Sequence, residues 1–115
     1  MKILKLTLKK KWFDLIASGE KLEEYREIKP YWLARLCTAH PPSVLVGGDY
    51  IDPHTGRNYD LRQFDRVEFK NGYHWAAPKM TFAMIGISIG EANPEWSDGE
   101  KGDFFRLHLG KKVEE

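Results

Sequence analysis

The pattern of apolar and polar positions along this chain has two periods, which predicts strands mixed with helices. Apolar residues recur at every second position in three stretches, as in strands with one buried face: residues 3–8, 64–70 and 104–109. Residues 80–90, MTFAMIGISIG, are the most apolar segment and predict a long central strand. Gly86 and Gly90 within it favour the bends or close backbone approach that a barrel requires.

Two segments have apolar residues at helical spacing instead, namely 9–18 and 30–39. Gly19 follows the first and is suited to end a helix in the left-handed conformation. Pro30 suits the first turn of the second helix, and Pro41-Pro42 should end it, since the residue before a proline is pushed out of helical geometry. The residues predicted to face the core from these helices include Trp12, Trp32 and Cys37.

Three irregular segments separate these elements. In residues 43–63, Val44, Leu45 and Val46 suggest a short strand, and the remainder reads as a long loop with room for a hairpin. Residues 73–79 form an aromatic loop after the Asn71-Gly72 turn signal. Residues 91–103 form a polar loop that contains Trp96.

The element order is β-α-β-α followed by three or more strands, in 115 residues that make a single domain, 1–115. We therefore expect an α+β fold, a small mixed β-barrel with two flanking helices. Lys plus Arg number 18 and Asp plus Glu number 17, so the net charge of the chain does not indicate a nucleic-acid-binding protein. The single cysteine fits a reducing compartment, and the chain has no 18-residue apolar run. We expect a cytoplasmic protein without a membrane span.

The stretch 18–28, SGEKLEEYREI, brings charges of both signs into an apolar neighbourhood. Residues 20–28 alternate and predict a strand on which Glu24 and Arg26 share one face. Strict alternation puts Lys21 on the opposite face, unless the strand begins after it or carries a bulge. The charges then form either a ligand site or a structural ion pair at the mouth of the barrel. Because lysine is rarely fully buried, we expect Lys21 to contribute little to stability.

Other candidate chemistry is sparse. Tyr73, Trp75 and Trp96 lie in loops expected at the barrel mouth, where they would either stack on bases or plug the core. The four histidines have no metal-ligand spacing, and neither a P-loop nor a dinucleotide fingerprint is present. We predict no metal and no cofactor.

Gly19, Lys21, Glu24 and Arg26 form the pattern G-x-K-x-x-E-x-R, which resembles the signature of the ASCH domain family. The resemblance covers nearly the whole chain and implies a barrel of the PUA-like type. It implies RNA or a nucleotide as ligand, held by Gly19, Lys21, Glu24 and Arg26, with the loop aromatics beside them.

The alternative that the resemblance implies is a small hydrolase, either an N4-acylcytidine amidohydrolase or a ribonuclease, that uses the same cleft. Lys21 and Glu24 would then be catalytic. Glu24 stands where the amidohydrolase pattern has a threonine, so the hydroxyl nucleophile of that pattern is missing. Glu24 would act instead as a general base on water.

Overall fold

The computed structural model describes residues 1–40 and 48–114 of the chain. These residues form a mixed α+β fold with two α-helices, a curled five-stranded sheet shaped like half a barrel, and a small second sheet. The elements are β1 (Ile3–Leu8), α1 (Lys10–Ala17), β2 (Glu23–Glu27), α2 (Pro30–Leu36), β3 (Cys37–Ala39), β4 (Tyr50–Ile51), β5 (Asn58–Leu61), β6 (Arg66–Asn71), β7 (Lys79–Glu91), a 3-10 turn (Pro94–Trp96) and β8 (Asp103–Lys112).

The large sheet has the strand order β1-β6-β7-β8-β2. β1 and β6 are parallel, with Leu4 opposite Val67, and the other neighbours are antiparallel. The β7–β8 register shifts twice, between Phe82 and Met84 and between Met84 and Gly86. Such irregularities bend and twist a strand pair, which accounts for the curl of the sheet.

The core lies between the inner face of this sheet and the two helices. Alternation in β1 and β8 turns every second side chain inward, as the sequence predicts. Phe13 and Ile16 of α1 and Leu33 and Leu36 of α2 complete one continuous apolar cluster with them. The strand residues of the cluster that are least exposed are Val67, Phe69, Phe105 and Leu107.

The second helix is shorter than the sequence predicts. It ends at Leu36, and Cys37–Ala39 form β3, which pairs with β5. Arg62 stabilises the change from helix to strand at this point. Its backbone N–H donates to Leu36 O at 2.9 Å, and its Nε donates to Cys37 O at 3.0 Å. Sheet pairing with a distant segment thus overrides the local helical pattern. Cys37 is buried as predicted, and burial raises the pKa of its thiol to about 11.

The segment predicted as a long loop contains more structure than the sequence suggests. β4 and β5 form the anticipated hairpin, and β5 also pairs with β3, so the second sheet has the order β3-β5-β4. The predicted strand at Val44, Leu45 and Val46 lies outside the described residues. Within 1–40 and 48–114, no helix has both the length and the apolar composition needed to cross a membrane.

Candidate functional site

The turn after α1 determines where Lys21 lies. Gly19 has φ +86°, a value that side-chain-bearing residues rarely adopt, and its N–H donates to Ile16 O at 3.1 Å. The backbone N–H of Lys21 then donates to Leu15 O at 3.0 Å. The helix end therefore holds Lys21 in a turn, ahead of the strand.

Because β2 begins only at Glu23, Lys21 lies outside the strand and does not follow its alternation. Its side chain reaches the same side as Glu24. Its Nζ lies 2.7 Å from Glu24 Oε1. The expectation that Lys21 contributes little to stability assumed an exposed side chain, and that assumption is wrong, since only 1% of the side chain is accessible. The prediction applied the general preference of lysine for the surface to a residue that Glu24 and the rings of Trp12 and Tyr25 surround.

Glu24 bridges two cations. Its second carboxylate oxygen, Oε2, accepts from Arg26 Nη1 at 2.5 Å, which confirms the predicted Glu24–Arg26 interaction. Arg26 also donates to the backbone oxygens of Tyr25, at 2.8 Å, and Thr7, at 3.1 Å. The side chains of Lys21 and Glu24 are almost fully enclosed, but 15% of the Arg26 side chain is accessible. Arg26 is thus the member of this cluster that a ligand reaches most easily.

Aromatic rings enclose both cations. Lys21 Nζ lies 4.1 Å from the centre of the Trp12 ring and 5.6 Å from that of Tyr25. Arg26 Cζ lies 5.1 Å from the centre of the Trp32 ring. At these distances the ring quadrupoles attract the charges and partly replace water.

Burial lowers the pKa of Lys21 below the usual lysine value, and Glu24 acts in the opposite direction. A lysine in such surroundings gives up its proton more readily than one in water. Together the two cations and one carboxylate leave the cluster with a single positive charge when Lys21 is protonated.

The cluster opens into a cavity of about 230 Å³, here called the motif cavity. Four cationic and four acidic residues contribute to its wall, so the formal charges balance. The remainder of the wall is largely aromatic: Trp12, Tyr25, Trp32, Trp96 and Phe104.

A second and larger space of about 810 Å³, the basic groove, shares five lining residues with the motif cavity: Lys9, Arg26, Glu27, Lys29 and Trp32. Its charged residues are strongly biased in sign, with five cations and one acid. They are Lys5, Lys9, Arg26, Lys29 and Arg35 against Glu27. The groove therefore carries a formal charge of +4 on that wall, in a chain whose net charge is +1.

The structure brings some of the predicted site residues together and leaves others apart. Lys21, Glu24, Arg26 and Trp96 line the motif cavity, and Tyr73 lines the basic groove although it is 90% exposed. The other two predicted residues are not in either wall. Trp75 is 84% exposed, and the centre of its ring lies 5.8 Å from that of His74, on which it stacks. Gly19 acts indirectly, because it ends α1 and so determines where Lys21 lies.

Trp12 and Trp32 were predicted to be core residues. Each is half-buried and lines the motif cavity, and Trp32 also packs against the core cluster. Lys9 and Lys29 were not singled out by the sequence analysis, although both line the two cavities. The sequence does contain a signal for them. Each lysine directly precedes one of the two helices, and the motif lies between these helices along the chain.

In the part of the chain that the structure describes, no three His, Cys, Asp or Glu side chains lie close enough together to hold a metal ion. No protein-family model, no curated protein and no solved structure matches this chain.

Proposed function

We propose that this protein binds RNA or a nucleotide, with a base in the motif cavity and the phosphates in the basic groove. The observation that carries this proposal is the contrast between the walls of the two adjoining spaces. One wall has five aromatic residues and four charges of each sign, and the other bears five cations against one acid, with three of those cations in both walls. A nucleotide has the same division between an uncharged stacking surface and an anionic phosphate.

The aromatic wall suits a base because every base has a π-face. Stacking on an aromatic side chain contributes about 1–3 kcal/mol per base and tolerates any sequence. Trp32 and Trp96 are half-buried in the wall, so their rings are held in place and remain accessible. The cavity of about 230 Å³ lies below the roughly 300–1,000 Å³ of sites that take whole drug-sized ligands, which favours one base at a time.

Arg26 lies where the two spaces meet. Its guanidinium is oriented by Glu24 and by two backbone oxygens, so little side-chain entropy remains to be lost on binding. A planar fork of N–H donors suits phosphate oxygens and base edges. Lys9 and Lys29 flank the same junction and would act as point charges for the phosphates.

The resemblance of Gly19, Lys21, Glu24 and Arg26 to the ASCH signature supports the same ligand class. Membership of that family, and with it a PUA-like barrel, is part of this proposal. The curled five-stranded sheet with two helices is compatible with it.

Binding is tested by the fluorescence anisotropy of a short labelled single-stranded RNA at about 50 and 200 mM salt. Each phosphate neutralised in a single strand contributes a slope of about −0.7 in log K against log salt. Two or three contacts in the basic groove predict a slope of about −1.4 to −2.1. An absence of saturable binding at the lower salt concentration would refute the proposal.

The second candidate function is hydrolysis of an N4-acylcytidine or of RNA in the same cleft. Its supporting observation is the lowered pKa of Lys21 next to the Glu24 carboxylate, since perturbed lysines are typical of catalytic sites. Glu24 would serve as the base for water, and Lys21 or Arg26 would stabilise the oxyanion.

Hydrolysis is tested by incubating the protein with N4-acetylcytidine and measuring cytidine by chromatography. Lys21→Arg keeps a cation beside Glu24 but removes an amine that can lose its proton. Turnover by the wild type that disappears in Lys21→Arg supports this function. Absence of turnover in a wild-type protein that binds RNA leaves binding as the function of the cleft.

A further inference from the structure

Three polar side chains lie close together across three strands on the outer face of the large sheet, away from the core, joined by one hydrogen bond and one ion-pair contact. Ser88 lies on β7, His108 on β8 and Glu23 on β2. Register brings them together, because Glu23 lies opposite His108, and Ser88 lies opposite Arg106, the next outward residue of β8. Their strand neighbours such as Leu107 point inward and are buried.

The three side chains have the order carboxylate, imidazole, hydroxyl. Glu23 Oε2 lies 3.0 Å from His108 Nδ1, and His108 Nε2 lies 2.6 Å from Ser88 Oγ. The other oxygen of Glu23 accepts from the Tyr25 hydroxyl at 2.7 Å, and that hydroxyl accepts from the backbone N–H of Asn93 at 3.1 Å. Tyr25 therefore holds the carboxylate in place beside the imidazole.

Hydrogen-bonding roles determine which imidazole nitrogen carries the proton. In the neutral tautomer with the proton on Nδ1, which faces the Glu23 carboxylate at 3.0 Å, His108 has a lone pair on Nε2 toward Ser88. Arg106 Nε, which only donates, donates to Ser88 Oγ at 3.0 Å. In that tautomer the hydroxyl proton of Ser88 lies between Oγ and His108 Nε2, the arrangement in which a histidine activates a serine.

Two glycines leave space around Ser88. Gly86 and Gly90 are two residues before and after it, on the same face of β7. No atom lies within 4 Å of the position that a Cβ on Gly86 would take, beside His108. At Gly90 that position would be 2.6 Å from Arg106 Cζ, so the glycine allows the guanidinium to lie across the strand.

The segment Gly86-Ile87-Ser88-Ile89-Gly90 has the spacing G-x-S-x-G of a hydrolase nucleophile elbow, but it lies within one continuous strand. Its glycines therefore act by leaving space and not by forming a sharp turn. No relation to the α/β-hydrolase fold follows from the spacing.

We propose that Ser88, His108 and Glu23 form a second site in which Ser88 is acylated by small carboxylic esters, separate from the motif cavity. Ser88 Oγ forms a bond to the ester carbonyl carbon while its proton passes to His108 Nε2. The oxyanion develops beside the Arg106 guanidinium. The carbon–oxygen bond to the leaving group then breaks, and the alcohol departs with the proton from His108. Water adds to the acyl-serine through the same base, which releases the carboxylic acid and restores Ser88.

Ser88 and His108 are the catalytic residues of this site, and Glu23 is a positioning residue. The probe is 4-nitrophenyl acetate, with release of 4-nitrophenolate followed by absorbance and the acetylated residue located by peptide mass spectrometry. We expect acetyl-Ser88 in the wild-type protein. Ser88→Ala and His108→Gln should each lower the rate at this site on the order of 10²-fold or more.

Several controls separate this reaction from unspecific acetylation. Surface lysines in the same digest report the background and should be equally acetylated in every variant. Ser18→Ala removes an exposed hydroxyl that donates to the backbone oxygen of Leu15, without a histidine partner, and should leave the rate unchanged. Glu23→Gln should lower the rate of Ser88 acetylation, and Glu23→Asp, which keeps a carboxylate at that position, should recover part of it. The other charged group in contact with these side chains, Arg106, is unaltered in both variants.

Acetylation confined to lysines in the wild-type protein would overturn the proposal. So would a wild-type rate of Ser88 acetylation in Ser88→Ala or in Glu23→Gln. The readout on Ser88 in the wild-type protein does not depend on the folding of any variant.

Discussion

Lys21 Nζ and Glu24 Oε1 lie 2.7 Å apart, with 1% and 4% of their side chains accessible. This ion pair is enclosed in the fold and at the same time lines the motif cavity. A buried pair of this kind is costly to break, because removal of one partner leaves the other desolvated.

Lys21→Met should therefore destabilise the protein strongly. Removal of one partner of a buried pair typically costs about 3–5 kcal/mol, and Arg26 offsets part of this by remaining on Glu24. Urea denaturation followed by circular dichroism gives the free energy of unfolding. The matched control is Lys10→Met, which breaks the exposed Lys10–Asp14 pair and should stay within about 0.5 kcal/mol of the wild type. Equal losses in both variants would contradict the burial of the pair.

Glu24 and Arg26 should be energetically coupled. Their contact of 2.5 Å predicts that Glu24→Gln and Arg26→Met are not additive, with an interaction energy of about 0.5–3 kcal/mol. A double-mutant cycle on the free energy of unfolding measures it. A coupling energy indistinguishable from zero would mean that the two side chains act independently.

The pH dependence of stability should report Tyr25. Burial, together with the hydrogen bond to Glu23, raises the pKa of Tyr25 to about 12 from 10.0. The unfolded chain ionises first, so the stability contributed by the neutral hydroxyl is complete below pH 10 and declines as the pH rises toward 12. The difference in unfolding free energy between the wild type and Tyr25→Phe should shrink over that interval. A difference that stays constant would exclude the raised pKa.

The elements with strong local signals could be predicted from the sequence. Alternation identifies β1, β6 and β8, and Gly19 and Pro30 mark a helix end and a helix start. β3 could not be predicted in this way, because it forms only by pairing with β5, about twenty residues further along the chain. Nothing in the local pattern at Cys37 separates the last turn of a helix from a strand.

The candidate site likewise has one part that the sequence predicts and another that it does not. Glu24 and Arg26 are two residues apart on one strand, so alternation alone places them together. The position of Lys21 depends on the hydrogen bond from its backbone N–H to Leu15 O. This bond keeps Lys21 in the turn after α1, so β2 begins only at Glu23. Trp32 was assigned to the core because a helical pattern identifies an apolar face but not the cavity beside its edge.

The proposed ligand site is tested most directly by the salt dependence of RNA binding in Lys29→Ala compared with Lys111→Ala. Lys29 lines both the motif cavity and the basic groove, and its side chain is 51% accessible, so its loss should leave the fold intact. Lys111 is an exposed lysine at the opposite end of β8 from Phe104, which lines the motif cavity. We expect Lys29→Ala to weaken binding and to reduce the magnitude of the slope of log K against log salt by about 0.7, the value for one lost phosphate contact. Lys111→Ala should reproduce the wild-type slope. Identical slopes in the wild type and Lys29→Ala, or an equal reduction in both variants, would show that RNA does not bind in the basic groove.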